Sequence, residues 1–216
     1  RKALGISLQT MSRNTPPNTA VIMPINTDTM AGSPWPAASS LPRAASWDRN
    51  LIGLFVDAHF DANGRLFAFG GVSNCAFAYN PAGNSWSEIA SMNFEHGNTA
   101  AVAVINNKIY VAGGTGPGAT QREVEVYDPI ANTWTPLAPM NVGRNHCAGG
   151  AIGGQFYVAG GRDSAGSDVA LEVYDPAANR WTNRTPMPTG RSGIGAGVVN
   201  SRLYVFGGEI PALTDV

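Results

Sequence analysis

The sequence predicts an all-β fold, a β-propeller of four-stranded antiparallel blades packed side by side about an axis. Three observations predict it. A unit recurs: a short apolar run ends in two glycines, a polar loop follows, and a second apolar run ends at a Tyr. A turn then leads to a Trp. The fullest copy is residues 156–181, FYVAGGRDSAGSDVALEVYDPAANRW. The second glycine of each pair falls at 71, 114, 161 and 208, so the steps are 43, 47 and 47 residues. Tyr and Trp stand seven apart in each full copy, at 79 and 86, 127 and 134, and 174 and 181. No stretch carries helical periodicity over ten or more residues. The third observation is the 26 Gly and 15 Pro, a composition suited to many tight turns between short strands.

Taken in order, residues 1–50 lack the repeat. Thr15-Pro16-Pro17-Asn18 breaks structure, Ala20 to Met23 reads as a strand, and the turn-rich stretch 32–42 holds Trp35. The segment is expected to be a linker or to supply outer strands of a closing blade. Residues 51–216 are expected to form the propeller, with repeats at 51–92, 93–140 and 141–187 and a partial copy at 188–216. Each copy divides into strands a to d. Strand a is small and apolar, as in Thr99 to Val104, Cys147 to Ile152 and Ile194 to Val199. Asn63-Gly64, Asn106-Asn107, Gly153-Gly154 and Asn200-Ser201 follow as two-residue turns, where Asn and Gly tolerate positive φ. Strand b ends at the Gly pair, strand c at the Tyr, and strand d starts near the Trp.

A lone four-stranded sheet has two apolar faces and cannot bury both, so copies must stack. Small residues on strand a then fit the crowded centre, with the Tyr and Trp farther out. The Gly pair lets the chain turn and is expected to admit a neighbouring aromatic ring. Two departures stand out. Asn80 replaces the Asp of other copies. Arg184 replaces the apolar residue seen at Ile89 and Leu137, which predicts a distorted or shortened strand.

Net charge is −1, which excludes a basic field for nucleic acid. No apolar run approaches the roughly 18 residues that span a bilayer. The basic start, RKALGISLQTMSRN, lacks the apolar centre of a signal peptide. A secreted or cell-surface placement is favoured over a cytoplasmic one. Cys75 and Cys147 lie two copies apart and are expected to be separate thiols.

These motifs resemble the kelch-repeat β-propeller family. The residues that carry the resemblance are Gly70-Gly71 with Tyr79 and Trp86, Gly113-Gly114 with Tyr127 and Trp134, Gly160-Gly161 with Tyr174 and Trp181, and Gly207-Gly208. It spans about residues 51 to 208. Propellers of this kind usually have six or seven blades, about 280 to 350 residues. About four blades belong to this chain. Either a partner chain or missing segment completes the ring, or the N-terminal segment closes a four-bladed one. The stop in mid-pattern favours the first.

The d–a and b–c loops share one face and vary most, which is where recognition sits on a rigid scaffold. Arg144 and Arg191 each stand 17 residues before the second Gly of their copy, after PMNVG and PMPTG. The resemblance implies that arginines so placed contact acidic peptides, and a guanidinium fork pairs with a carboxylate through two hydrogen bonds. Asn145, Ser192, Arg122, Arg162 and Asp163 are expected to add polar contacts. His59, His96 and His146 fall near the channel without metal-ligand spacing, and all six tyrosines occupy repeat positions. No nucleophile elbow, phosphate loop or H-E-x-x-H is present. The expected function is therefore a non-catalytic module, without cofactor or metal, that binds a protein, peptide or glycan. The alternative is a carbohydrate-acting enzyme on the same scaffold, a sugar epimerase or a copper oxidase like galactose oxidase.

Overall fold

The computed structural model describes residues 56–60, 66–70, 74–80, 82–98, 100–117, 119–163 and 166–209, with only the backbone for 56–60 and 167. The segment 1–50, the turn at 63–64 and Gly71 lie outside them. The first blade consists of β1 (Val56–Phe60), β2 (Leu66–Gly70), β3 (Ala76–Asn80) and β4 (Ser85–Ile89). The second comprises β5 (Ala101–Ile105), β6 (Lys108–Ala112), β9 (Val124–Asp128) and β10 (Thr133–Leu137). A two-residue hairpin, β7 (Thr115–Gly116) and β8 (Ala119–Thr120), caps its b–c loop. The third comprises β11 (Ala148–Ile152), β12 (Gln155–Ala159), β15 (Leu171–Asp175) and β16 (Arg180–Arg184). Its cap is β13 (Arg162–Asp163) with β14 (Gly166–Ser167). A last hairpin pairs β17 (Gly195–Val199) with β18 (Arg202–Phe206). Each four-stranded sheet is an antiparallel meander in chain order. β16 runs five residues and pairs Arg184 with Leu171, so the expected shortening there does not occur. An exposed outer strand accommodates Arg because its side chain points to water.

The a–b turns form as their residues dictate. Asn106-Asn107, Gly153-Gly154 and Asn200-Ser201 hold φ between 49° and 76° at both positions. That double positive φ is the two-residue turn whose twist matches the strands it joins. In the c–d turns Asp128 accepts hydrogen bonds from the backbone N–H groups of Ile130 and Ala131, and Asp175 from those of Ala177 and Ala178. Asn80 accepts the matching pair from Ala82 and Gly83, so the Asp-to-Asn change keeps the acceptor that the turn needs.

Tyr and Trp seven apart are directly opposed across strands c and d: Tyr79 with Trp86, Tyr127 with Trp134, Tyr174 with Trp181. Their rings lie 4.9 to 5.2 Å apart. Each Tyr hydroxyl donates to the turn Asn five residues on, Asn84, Asn132 or Asn179. The last two turns also grip the preceding blade. Asn132 Oδ1 accepts from the Ala90 N–H, and Trp134 Nε1 donates to the Ala90 carbonyl at 2.8 Å. Asn179 and Trp181 hold Ala138 in the same way. Both backbone groups of one residue are thereby clamped between blades.

The core lies between blades. One cluster joins Phe67, Phe69 and Ala78 of the first blade to Val102, Ile109, Val111 and Trp134 of the second. Another joins Ala101, Ala103, Tyr110 and Ala112 to Phe156, Val158, Tyr174 and Trp181. Alternate residues of the second blade thus face opposite neighbours, as the pleat requires. Strand a is small because it is crowded. A Cβ on Gly149 would meet the Phe156 ring at 2.7 Å, and one on Gly150 would meet Val198 at 2.6 Å.

The Gly pairs answer a different demand from the aromatic contact expected of them. Gly113 and Gly160 have positive φ, and a Cβ there would strike the backbone carbonyls of Arg144 and Arg191 at 2.5 and 2.7 Å. The next copy's d–a loop passes directly over each first glycine. The N–H of each second glycine, Gly114 and Gly161, donates to that same carbonyl.

Candidate functional site

The d–a loops bring an enclosed basic side chain against a strand c glutamate. Arg144 donates to the carbonyls of Ala170 (3.1 Å) and Gly160 (3.4 Å) and to Glu172 on β15. Glu172 also accepts from the backbone N–H groups of Asn141 and Val142. In the second copy His96 takes the place of Arg144. Its Nδ1 lies 2.6 Å from the Gly113 carbonyl and its Nε2 3.2 Å from Glu125 on β9. Both ring nitrogens face acceptors, the Gly113 carbonyl and the Glu125 carboxylate. Burial alone would raise the Glu125 carboxyl. Hydrogen bonds from His96 and from Asn93, with the charge on His96, outweigh it and hold it below the usual carboxylate range. Arg144, His96, Glu125 and Glu172 are at most 1% exposed.

Arg144 therefore does not present its guanidinium to a ligand, contrary to the sequence expectation. Its two terminal nitrogens are directed inward, where the strand c glutamate and two loop carbonyls converge on them. Arg191 is half-buried and donates to the Gly207 carbonyl at 3.0 Å, the counterpart of the bond from Arg144 to Gly160.

One residue farther along, the loops line the channel mouth. Paired backbone bridges join Gly97 to Thr115, Asn145 to Arg162 and Ser192 to Glu209. The partner in each case directly follows a Gly pair. The next residues, Asn98, His146 and Gly193, all have positive φ (53°, 52° and 62°). The His146 N–H donates to the Asn98 carbonyl and the Gly193 N–H to the His146 carbonyl, which links three successive copies around the axis.

On this ring sits a polar cluster. Arg162 donates to Glu209 at 2.8 Å and lies 3.3 Å from His146 Nε2. His146 Nδ1 is 2.7 Å from Asn145 Oδ1, and Ser192 Oγ is 3.5 Å from Glu209. With Nδ1 donating to Asn145, Nε2 accepts from Arg162, so the geometry selects the neutral imidazole. Burial, then the Arg162 charge, push the His146 pKa down, and Glu209 opposes them. The side chains of Arg162 and Glu209 are 39% and 70% exposed, so this cluster faces solvent.

Of the sequence-predicted residues, the structure brings Asn145, Ser192 and Arg162 together. Asp163 is exposed on the β13–β14 hairpin beside Arg162. Arg122 lies apart, its Nε bound to the Met140 carbonyl. The sequence does not single out Glu209, and it places His146 near the channel without a ligand-binding role. Their signal was positional: Glu209 follows a Gly pair as Arg162 does, and His146 follows the bridge residue Asn145. His96 is enclosed, and the side chain of His59 lies outside the described residues. Among the described residues no three of His, Cys, Asp and Glu gather as a metal site. Cys147 is buried in the core and Cys75 is half-buried in another blade, both as thiols.

The family model described as the KLHDC2/KLHL20/DRC7 Kelch-repeats domain matches residues 53–208. The chain belongs to the kelch-repeat family. Its fold is the kelch β-propeller. Kelch-like protein 4 of Homo sapiens is 36% identical over 73 residues, 34% of this chain and 10% of that protein. The F-box/kelch-repeat protein At1g22040 of Arabidopsis thaliana is 33% identical over 87 residues, 36% of this chain and 18% of its own length. Kelch repeat-containing protein kel-10 of Caenorhabditis elegans is 35% identical over 100 residues, 43% and 17% of the two chains. The matches to these three thus cover less than a fifth of each relative's length. A solved structure titled "Structure of YjhT" superposes with a TM-score of 0.54 at 19% identity, over 62% of this chain and 52% of that one. That likeness speaks for the fold alone.

Proposed function

We propose that this kelch domain is a non-catalytic module that recognises a protein through an acidic segment at the channel mouth. The observation that carries the reading is the cluster of Arg162, Glu209, His146, Asn145 and Ser192, held on the d–a and b–c loops of two successive copies by backbone bonds. Its one exposed guanidinium is already satisfied by a carboxylate. A ligand carboxylate entering here would exchange with Glu209, keeping the Arg162 bond while the exposed Glu209 returns to water. Such exchange suits the modest net gain of surface ion pairs, with shape and loop contacts adding affinity. The kelch relatives support a protein-interaction scaffold.

The test is retention of Glu- and Asp-rich peptides by immobilised protein, with Lys- and Arg-rich peptides as controls. Arg162→Ala is expected to abolish retention without moving the melting temperature. Glu209→Gln is expected to strengthen it, because the internal competitor is gone. Retention that is indifferent to both substitutions would remove the reading.

A further inference from the structure

We infer, resting on the acidic-segment reading above, that His146 couples capture of that segment to a proton, so that the channel mouth binds more tightly as pH falls. The coupling lies in the way Arg162 divides its guanidinium. Nη1 donates to Glu209 at 2.8 Å, and Nη2 lies 3.3 Å from His146 Nε2. His146 Nδ1 is 2.7 Å from Asn145 Oδ1. With Nδ1 donating there, Nε2 accepts from Arg162, which it can do only while the ring is neutral. Burial and the Arg162 charge work in the same direction and lower the His146 pKa, against Glu209. The charged groups that face the ring are Arg162, on β13, and Glu209, directly after the last Gly pair. The preceding d–a loop presents the Asn98 carbonyl to the His146 N–H, and that loop's own imidazole, His96, is enclosed against Glu125. The following d–a loop meets His146 through the backbone N–H of Gly193.

In the free mouth the charges of Arg162 and Glu209 cancel, and a neutral His146 adds none. A ligand carboxylate that takes both terminal nitrogens of Arg162 comes to lie beside Nε2. It competes for the hydrogen that Nε2 was accepting, and it leaves two acids around one guanidinium. A proton drawn from solvent onto Nε2 restores the balance, and the imidazolium then donates to one of those carboxylates. An opposite charge within about 4–6 Å moves a pKa by about 1 to 3 units. Each unit is about a tenfold change in affinity. Because the liganded mouth holds the proton more tightly than the free one, affinity rises as pH falls from the bound-state pKa to the free-state pKa. Above and below that window it is level.

The preceding copy supplies the variant. Asn98 holds the equivalent position at φ 53°, against 52° for His146, and donates to Thr115 as Arg162 donates to His146. His146→Asn therefore suits the backbone and removes the titrating group. The probe is a Glu-rich peptide, titrated calorimetrically into the full chain from about pH 7.5 to about pH 5.5, above the range where its own carboxylates protonate. Affinity is expected to rise about tenfold over that range, and two buffers of different ionisation heat should reveal proton uptake on binding. In His146→Asn both the slope and the uptake should vanish. Binding that Arg162→Ala abolishes but that is level with pH, or a slope that survives in His146→Asn, would overturn the coupling and leave the acidic-segment reading standing. No binding at any pH would overturn both. The wild-type protein decides even where the variant does not fold, since binding without proton uptake contradicts the coupling.

Discussion

At the scale of single residues, the d–a and b–c loops of this face hold basic side chains of two kinds. Arg144 and His96 point inward to strand c glutamates, while Arg162 points outward. Arg144 and Glu172 are removed from water together, so each depends on the other. Removing one partner of such a pair leaves a buried charge and costs about 3–5 kcal/mol. Arg144→Ala is therefore expected to lower stability by about that amount in urea unfolding. Arg144→Met combined with Glu172→Leu should recover only part of the loss, because it removes the unpaired buried charge but leaves the Asn141 and Val142 N–H groups without their acceptor. The sequence places Arg144 at a repeat position on a varied loop and predicts that it faces a ligand. Its direction follows from Glu172 lying 28 residues later, a contact that local reading does not supply. The Glu in LEVYD and in VEVYD was the available clue, an acid recurring inside an otherwise apolar strand c.

At the scale of elements, the repeat was legible because its residues serve geometry that recurs. The strand boundaries, the two-residue a–b turns and the Tyr–Trp pairs all follow from patterns within about ten residues of chain. The purpose of the Gly pair was not legible, since the carbonyl that crowds Gly113 belongs to the next copy. The same holds for the Trp clamp, which reaches 43 or 44 residues back to Ala138 or Ala90. Trp86 stands opposite Tyr79 like the others, and among the described residues its buried Nε1 has no hydrogen-bond partner. Trp134→Phe and Trp181→Phe each break the indole N–H bond to the preceding blade and should each cost at least about 1 kcal/mol, a fall of about 2–4 °C or more in melting temperature. An unchanged melting temperature would mean that the indole N–H bonds contribute nothing to blade cohesion.

At the scale of the whole molecule, each blade buries both faces only by having neighbours, so stability is shared along the array. The loops that this stacking brings together make a mouth whose parts come from three copies. His146, Arg162 and Glu209 are 16 and 47 residues apart in sequence yet form one network. That is why the fold could be read from the chain and the site only in part. Arg162, Asn145 and Ser192 were nameable as varied loop residues. Their union with His146 and Glu209 depends on the backbone bridges after the Gly pairs. The division of labour between an enclosed Arg144 and an outward Arg162 is most directly tested by labelling the native protein with an arginine-selective dicarbonyl reagent and reading each site by mass spectrometry. Arg162 is expected to react readily while Arg144 stays protected until the protein unfolds. Arg144 reacting as fast as Arg162 in the native state would contradict it.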